Sequence, residues 1–265
     1  MDEYLKKNRG HWDEMVPHHE RSEFYDVDGF RAGGCSLKSI ELEELGDVSG
    51  KSLLHLQCHF GMDTLSWARL GASVTGIDFS DVAISLARRL SAETGIKADF
   101  ICSNIYDLPN VLKEEFDIVY TSYGVLAWLP DLKQWAEVIA HFLRSGGTSY
   151  IAEIHPFIHL FDDSTDRPEL TVTNPYWESP EPTRFEPDCS YAGAPVTRPS
   201  YEWTHTLSEI MNSLALAGLR IEFLHEFPVC CYKALPFMEQ DEEGFWHLEG
   251  DRLPLTFSLR AIKIQ

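Results

Sequence analysis

The chain has 265 residues, 44% hydrophobic and 12% aromatic, which is ample for a packed core and excludes global disorder. Its formal net charge of −20, with only 22 scattered Lys and Arg, argues against a nucleic-acid partner, because neutralising phosphates needs clustered cations. No charged-then-apolar leader and no apolar run of about 18 residues is visible, so the chain reads as cytoplasmic with no membrane partner.

Residues 1–50 form a helical, aromatic-rich lead-in carrying Trp12, Phe24, Tyr25 and Phe30. A strand–helix alternation follows. Ser52–Leu56 reads as strand one, Gly61–Leu70 as a helix ended by Gly71, and Ala72–Ile77 as strand two. Ser80 caps a helix with apolar positions Val82, Ala83, Leu86, Ala87 and Leu90. Ala98–Cys102 is strand three and Phe116–Thr121 strand four. Asp131 to Gln134 opens a helix that stops before Gly146 and Gly147, and Thr148–Ile154 is strand five. Eight prolines then fall from Pro156 to Pro199, with Tyr176, Trp177, Phe185 and Tyr191 among them. That stretch is too proline-rich for helix and too aromatic for a disordered linker, so it reads as an insertion with short edge strands. Thr206 to Glu209 opens another helix, Leu219–His225 is strand six and Leu253–Ile264 strand seven.

Six cysteines (Cys35, Cys58, Cys102, Cys189, Cys230 and Cys231) show no metal-ligand spacing, so no metal is expected. The adjacent Cys230 and Cys231 point to opposite faces of any strand, which favours packing over redox chemistry.

The most informative stretch is Ser52 to Gly61, an apolar strand running into a tight loop, followed by a helix and a second strand that closes on Asp78. This strand–loop–helix–strand–acid layout is that of a nucleotide site in a doubly wound sheet, where ligands bind at the carboxyl ends of the strands. A carboxylate at Asp78 suits a ribose, since it accepts hydrogen bonds from both vicinal hydroxyls. A dinucleotide site wants Gly-x-Gly-x-x-Gly in the first loop. The loop here carries Gln57 and His59 where glycines would stand, keeping only Gly61.

On His55 to Gly61, Asp78, the Ser103–Asn104–Ile105 run and Thr121 to Gly124, the chain resembles the class I S-adenosylmethionine-dependent methyltransferases. The resemblance is close over residues 50–155 and holds in outline over 204–264. It implies an α/β, Rossmann-like seven-stranded mixed sheet in the order 3-2-1-4-5-7-6, with strand seven antiparallel. Residues 1–265 then make a single domain: an N-terminal cap (1–50), a cofactor-binding core (51–154), an insertion or substrate lid (155–203) and the C-terminal part of the sheet (204–265). The cofactor implied is S-adenosyl-L-methionine. Its implied contacts are Tyr25, Gln57, Cys58, His59, Gly61, Asp78, Phe79, Ser103, Asn104, Ile105 and Ser122. Asp78 would take the ribose, Phe79 the side of the adenine, Asn104 the adenine amino group and Gln57 the methionine part. His55 stands where the family has an acid; packed, hydrogen-bonded roles for His55 and His59 stay open.

Catalytic residues are the sparsest part. Tyr123 follows strand four and is expected to face the reacting methyl; a core aromatic is the plainer alternative. Glu153 and His155 end strand five, and His155 is the better base by intrinsic pKa. His18, His19 and His205 are further candidates. Trp12, Tyr25 and Phe30 are expected to close over the cofactor, Tyr25 bonding its methionine carboxylate, while the insertion walls the substrate side. The expected activity is methyl transfer to a small molecule. A nicotinamide-dependent oxidoreductase and a non-catalytic cofactor-binding protein are the competing readings. The oligomeric state stays open between a monomer and a homodimer.

Overall fold

Apolar strands alternating with amphipathic helices build one large sheet in the computed structural model, which describes residues 2–161, 169–177, 179–187, 189–193 and 195–264. The parts of the expected insertion at 162–168, 178, 188 and 194 lie outside the described residues. The first five strands are β1 (Ser52–Leu56), β2 (Ser73–Asp78), β3 (Asp99–Cys102), β4 (Phe116–Thr121) and β5 (Leu143–Ile154). After them come the short β6 (Thr183–Phe185) and β7 (Ser200–Glu202), then β8 (Leu219–Phe227). Three short strands, β9 (Val229–Cys230), β10 (Glu239–Gln240) and β11 (Trp246–His247), precede the last, β12 (Thr256–Lys263).

The large sheet runs β3-β2-β1-β4-β5-β12-β8. Counting only the strands of that sheet, this is the order 3-2-1-4-5-7-6; the numbering differs because the short strands intervene in the chain. β1 to β5 are parallel to one another, and β12 is antiparallel to both β5 and β8. The chain leaves β1 for β2 on one side and later returns to β4 on the other. The crevice between these two departures is where such sheets bind ligands.

Helices cover both faces. On one, α7 (Leu132–Phe142) buries Leu132, Trp135, Ala136, Ile139 and Phe142 against the sheet, beside α8 (Leu207–Leu216). Asp131 starts α7 by accepting the N–H groups of Lys133 and Gln134. On the other face, α4 (Met62–Arg69) brings Trp67 onto Tyr120, and α5 (Asp81–Thr94) buries Leu86, Ala87 and Leu90. The N-terminal segment supplies α1 (Glu3–His19), α2 (Val27–Arg31) and α3 (Ser39–Leu45). α6 is the short Leu108–Val111.

Two departures from the sequence expectation have local causes. β5 begins at Leu143 rather than Thr148, because Gly146, at φ 77°, lets the chain kink without leaving the sheet. Residues after β8 hold a three-stranded sheet, β10-β11-β9, that the sequence does not announce; its strands are two residues long, too short to show an alternation. No helix among the described residues is long and apolar enough to cross a membrane.

Trp135 is fully buried in the larger core. Replacing it with alanine is expected to cost about 3–5 kcal/mol. Urea unfolding should show this as a lower midpoint with an unchanged slope.

Candidate functional site

The site begins where β1 ends. Gln57 (φ 56°) and His59 (φ 49°) both adopt left-handed backbone. Neither residue therefore adopts ordinary dihedrals. The chain keeps a glycine-like path and bears roughly 1–2 kcal/mol at each residue. Neighbours hold it there. Cys58 N donates to Ile77 O at 2.8 Å, His59 N donates to Asp78 Oδ2 at 2.9 Å, and Gln57 Nε2 donates to Val125 O at 3.0 Å. Gly61 is left-handed too, and a Cβ there would fall 2.6 Å from the Phe100 ring. Its glycine thus serves packing against β3 as well as the turn.

These strand ends open into a cavity of about 960 Å³. That is near the upper end of the ~300–1,000 Å³ usual for a single small-molecule site. All the cofactor contacts implied by the resemblance line it: Tyr25, Gln57, Cys58, His59, Gly61, Asp78, Phe79, Ser103, Asn104, Ile105 and Ser122. Asp78 closes β2 with each carboxylate oxygen accepting one backbone N–H, from Ser80 and from His59, both at 2.9 Å. Each oxygen keeps capacity for a ligand hydroxyl. Burial pushes this carboxyl up to about 7, against the lowering pull of those two N–H groups. Asn104 Oδ1 accepts from Tyr106 N at 3.0 Å, capping a short 3-10 helix; an amide oxygen accepts two hydrogen bonds, so the turn and a ligand contact coexist. Ser103 Oγ turns back to the Asn104 carbonyl. Gln57 Oε1 is buried without a hydrogen-bond partner among the described residues.

Beyond β4 the lining changes character. Tyr123 lines the cavity and donates its hydroxyl to Glu41 Oε2 at 2.8 Å. Glu41 is buried on α3, and burial raises its carboxyl to about 7, with nearby Asp63 adding to the rise. Asp63, at the start of α4, accepts from Ser36 at 2.6 Å and Ser122 at 3.2 Å. Sequence reasoning missed both acids. Asp63 looks like an ordinary acid at a helix start. Glu41 had a signal: it sits between Leu37 and Leu45 at helical spacing, on an otherwise apolar stripe. Glu153 reaches the cavity, yet its oxygens accept the N–H groups of Gly124, Val125 and Leu126. It shapes the loop after β4 and has little left for a ligand.

His155 does not line the cavity, which corrects its expected catalytic place. Its ring is buried behind the wall, with Nε2 3.0 Å from Glu226 and Nδ1 accepting from Phe157 N at 3.2 Å. His55 lines the cavity but is held at both nitrogens, by Thr64 at 2.8 Å and Ser122 at 3.2 Å, and burial lowers its pKa to about 3. His205 borders the far side with Nε2 on Leu129 O at 2.7 Å. His18 lies away from the lining, while His19 reaches it indirectly through His59, Nδ1 to Nε2 at 3.1 Å.

Of the three aromatics expected over the cofactor, Trp12 and Tyr25 line the cavity and Phe30 does not. Phe30 is buried in the core beneath the Arg69 guanidinium, 4.1 Å from its ring. Tyr25 hydrogen-bonds the hydroxyl of Tyr191 from the insertion. Trp128, Phe185, Trp203, Tyr232 and Trp246 complete an aromatic wall. Among the described residues no group of three or more His, Cys, Asp or Glu is placed to hold a metal ion.

Residues 53–147 match the family model described as "Methyltransferase domain". A ubiquinone biosynthesis O-methyltransferase of Xanthomonas euvesicatoria is 29% identical over 135 residues, covering 50% of this chain and 56% of that protein. The chain thus aligns with about half the length of such relatives. An S-adenosylmethionine-dependent methyltransferase structure from Mesorhizobium loti superposes with a TM-score of 0.57 at 21% identity, covering 88% of this chain and 99% of that one. The [4+2]-cyclase SpnF superposes with a TM-score of 0.56 at 17% identity, covering 96% and 93%. Such likeness shows the fold; chemistry is argued from the site.

The raised Asp78 carboxyl sets a pH dependence of the free protein. An acid whose folded pKa is raised contributes stability below its unfolded value, about 3.9, and loses it as pH climbs through the folded value of about 7. Asp78→Asn is therefore expected to gain stability relative to the parent at pH 8 and to show no such gain at pH 4. Urea midpoints of both proteins across that range check it.

Proposed function

We propose, from the class I S-adenosylmethionine-dependent methyltransferase domain that this chain carries, that it methylates a hydroxyl of a small, largely apolar acceptor. The observation that carries the reading is the buried Gln57 Oε1, without a hydrogen-bond partner among the described residues, in the same cavity as Asp78. An acceptor oxygen and a carboxylate on adjacent strand ends fit a ligand with an ammonium at one end and ribose hydroxyls at the other. S-adenosylmethionine has both, and when bound it supplies a methyl group already activated on a sulfonium. Asp78 would take the ribose, Phe79 and Ile105 would flank the adenine, and Gln57 with Asp63 would hold the methionine ammonium. Trp12 and Tyr25, from the cap, exclude water from the reacting centre. The cavity is near the upper end for a single-ligand site, and its wall of Trp128, Phe185, Trp203 and Trp246 suits a flat apolar acceptor. A hydroxyl acceptor is supported by the relatives, which are named as O-methyltransferases.

Isothermal titration tests the cofactor half. S-adenosylhomocysteine is expected to bind with micromolar affinity and NAD not to bind. Asp78→Ala should weaken binding by about 1–3 kcal/mol, the cost of losing hydrogen bonds to a charged group. Unchanged affinity in that variant, with circular dichroism intact, removes Asp78 from the site; NAD binding would favour the oxidoreductase reading instead.

A further inference from the structure

We propose that Glu41, held by the Tyr123 hydroxyl, faces the transferable methyl and is the base that takes the acceptor's proton. This rests on the function proposed above. The sheet order places the ligand. With ribose at Asp78 on β2 and adenine beside the β3 residues, the sulfur end runs toward β1 and β4, where Gln57 and Ser122 stand. The next residue past Ser122 is Tyr123, and its hydroxyl donates to Glu41. Both line the cavity.

Several other candidates are already committed. Glu153 accepts the N–H groups of Gly124, Val125 and Leu126, and His155 lies behind the wall. His55 is bonded at both nitrogens, as is His205, between Leu129 O and Glu209. His159 is exposed at the rim. Among the described residues Glu41 has no salt-bridge partner, and its oxygens accept from Lys38 N, at 2.7 Å, and from Tyr123. Groups that set its charge face it from each packed element: Lys38 beside it, Asp63 from α4, Tyr120 and Tyr123 from β4 and its loop, and Tyr150 from β5.

A carboxyl that titrates near pH 7 suits general-base work at that pH. In the transfer, the acceptor oxygen's lone pair forms the new C–O bond as the C–S bond breaks with its electron pair left on sulfur. The acceptor's proton passes to Glu41, which later releases it to solvent. Glu41 must be ionised to take the proton, and a bound sulfonium would favour that charge.

That requirement is measurable without knowing the acceptor. S-adenosylmethionine carries the sulfonium, and S-adenosylhomocysteine does not; both carry the ribose that meets Asp78. Titrations of the full chain at pH 7 in phosphate and in Tris, which differ in ionisation enthalpy, count the protons released. S-adenosylmethionine is expected to release about half a proton more, since a group with a pKa near 7 is half protonated there. Glu41→Gln should abolish the difference while still binding S-adenosylhomocysteine. Tyr123→Phe should keep the difference and move its midpoint to higher pH, because the lost hydroxyl favoured the ionised carboxylate. Equal release by the two ligands, a difference that survives Glu41→Gln, or an unmoved midpoint in Tyr123→Phe overturns the assignment and leaves the methyltransferase reading standing. If neither ligand binds, the function proposed above fails, and this inference with it.

Discussion

The loop after β1 is held left-handed at two residues that are not glycine, and much of the site hangs on how that is sustained. Gln57 reaches the carbonyl of Val125, whose own N–H goes to Glu153 at the end of β5. His59 gives its N–H to Asp78 and its ring to His19 and Trp12. One strained turn is thereby tied to β2, to the loop after β4, to β5 and to the N-terminal helix. Strained backbone persists only when its surroundings over-determine it, and here the over-determining contacts are those that shape the cavity. A glycine loop would lack these side-chain ties. This chain exchanges backbone freedom for side chains that brace the turn.

What the sequence disclosed and what it hid separate along physical lines. The seven strands of the large sheet were legible from their apolar runs, and α5 and α7 from apolar periodicity with a capping residue, Ser80 or Asp131, at the start. Asp78 was legible because its position at a strand end is local. Tyr123 was legible as a place but not as a partnership, since Glu41 lies 82 positions away in sequence. His155 misled because chain position shows that a residue ends a strand but not which way it faces. Phe30 misled similarly: an aromatic in the cap serves the core as readily as the cavity, and only Arg69, 39 positions on, shows which. The strands β9 to β11 hid because two-residue strands carry no periodic signal.

The cap packs on α4 and α5, and it is also bonded directly to the insertion. Asn8 brackets Tyr201 through both amide atoms, at 2.6 and 2.9 Å. His11 meets Arg198 O at 2.9 Å, Glu14 accepts from Thr197 N at 2.9 Å, and Tyr25 meets Tyr191. These bonds span more than 160 positions of sequence, so the two segments form one roof though the sheet's strands are threaded between them. Residues of that roof border both the Gln57–His59 turn, through Trp12, and the aromatic wall, through Phe185 and Trp203.

In evolutionary terms, that roof is a single inheritable unit written in two places. Asn8, His11 and Glu14 all bond backbone groups of residues 197–201, so a recombination event that exchanged only the segment after β5 would keep these bonds only where the new segment kept that backbone path. Wholesale exchange thus has to preserve a backbone path, whereas point changes confined to the aromatic wall leave the seam between the two segments untouched.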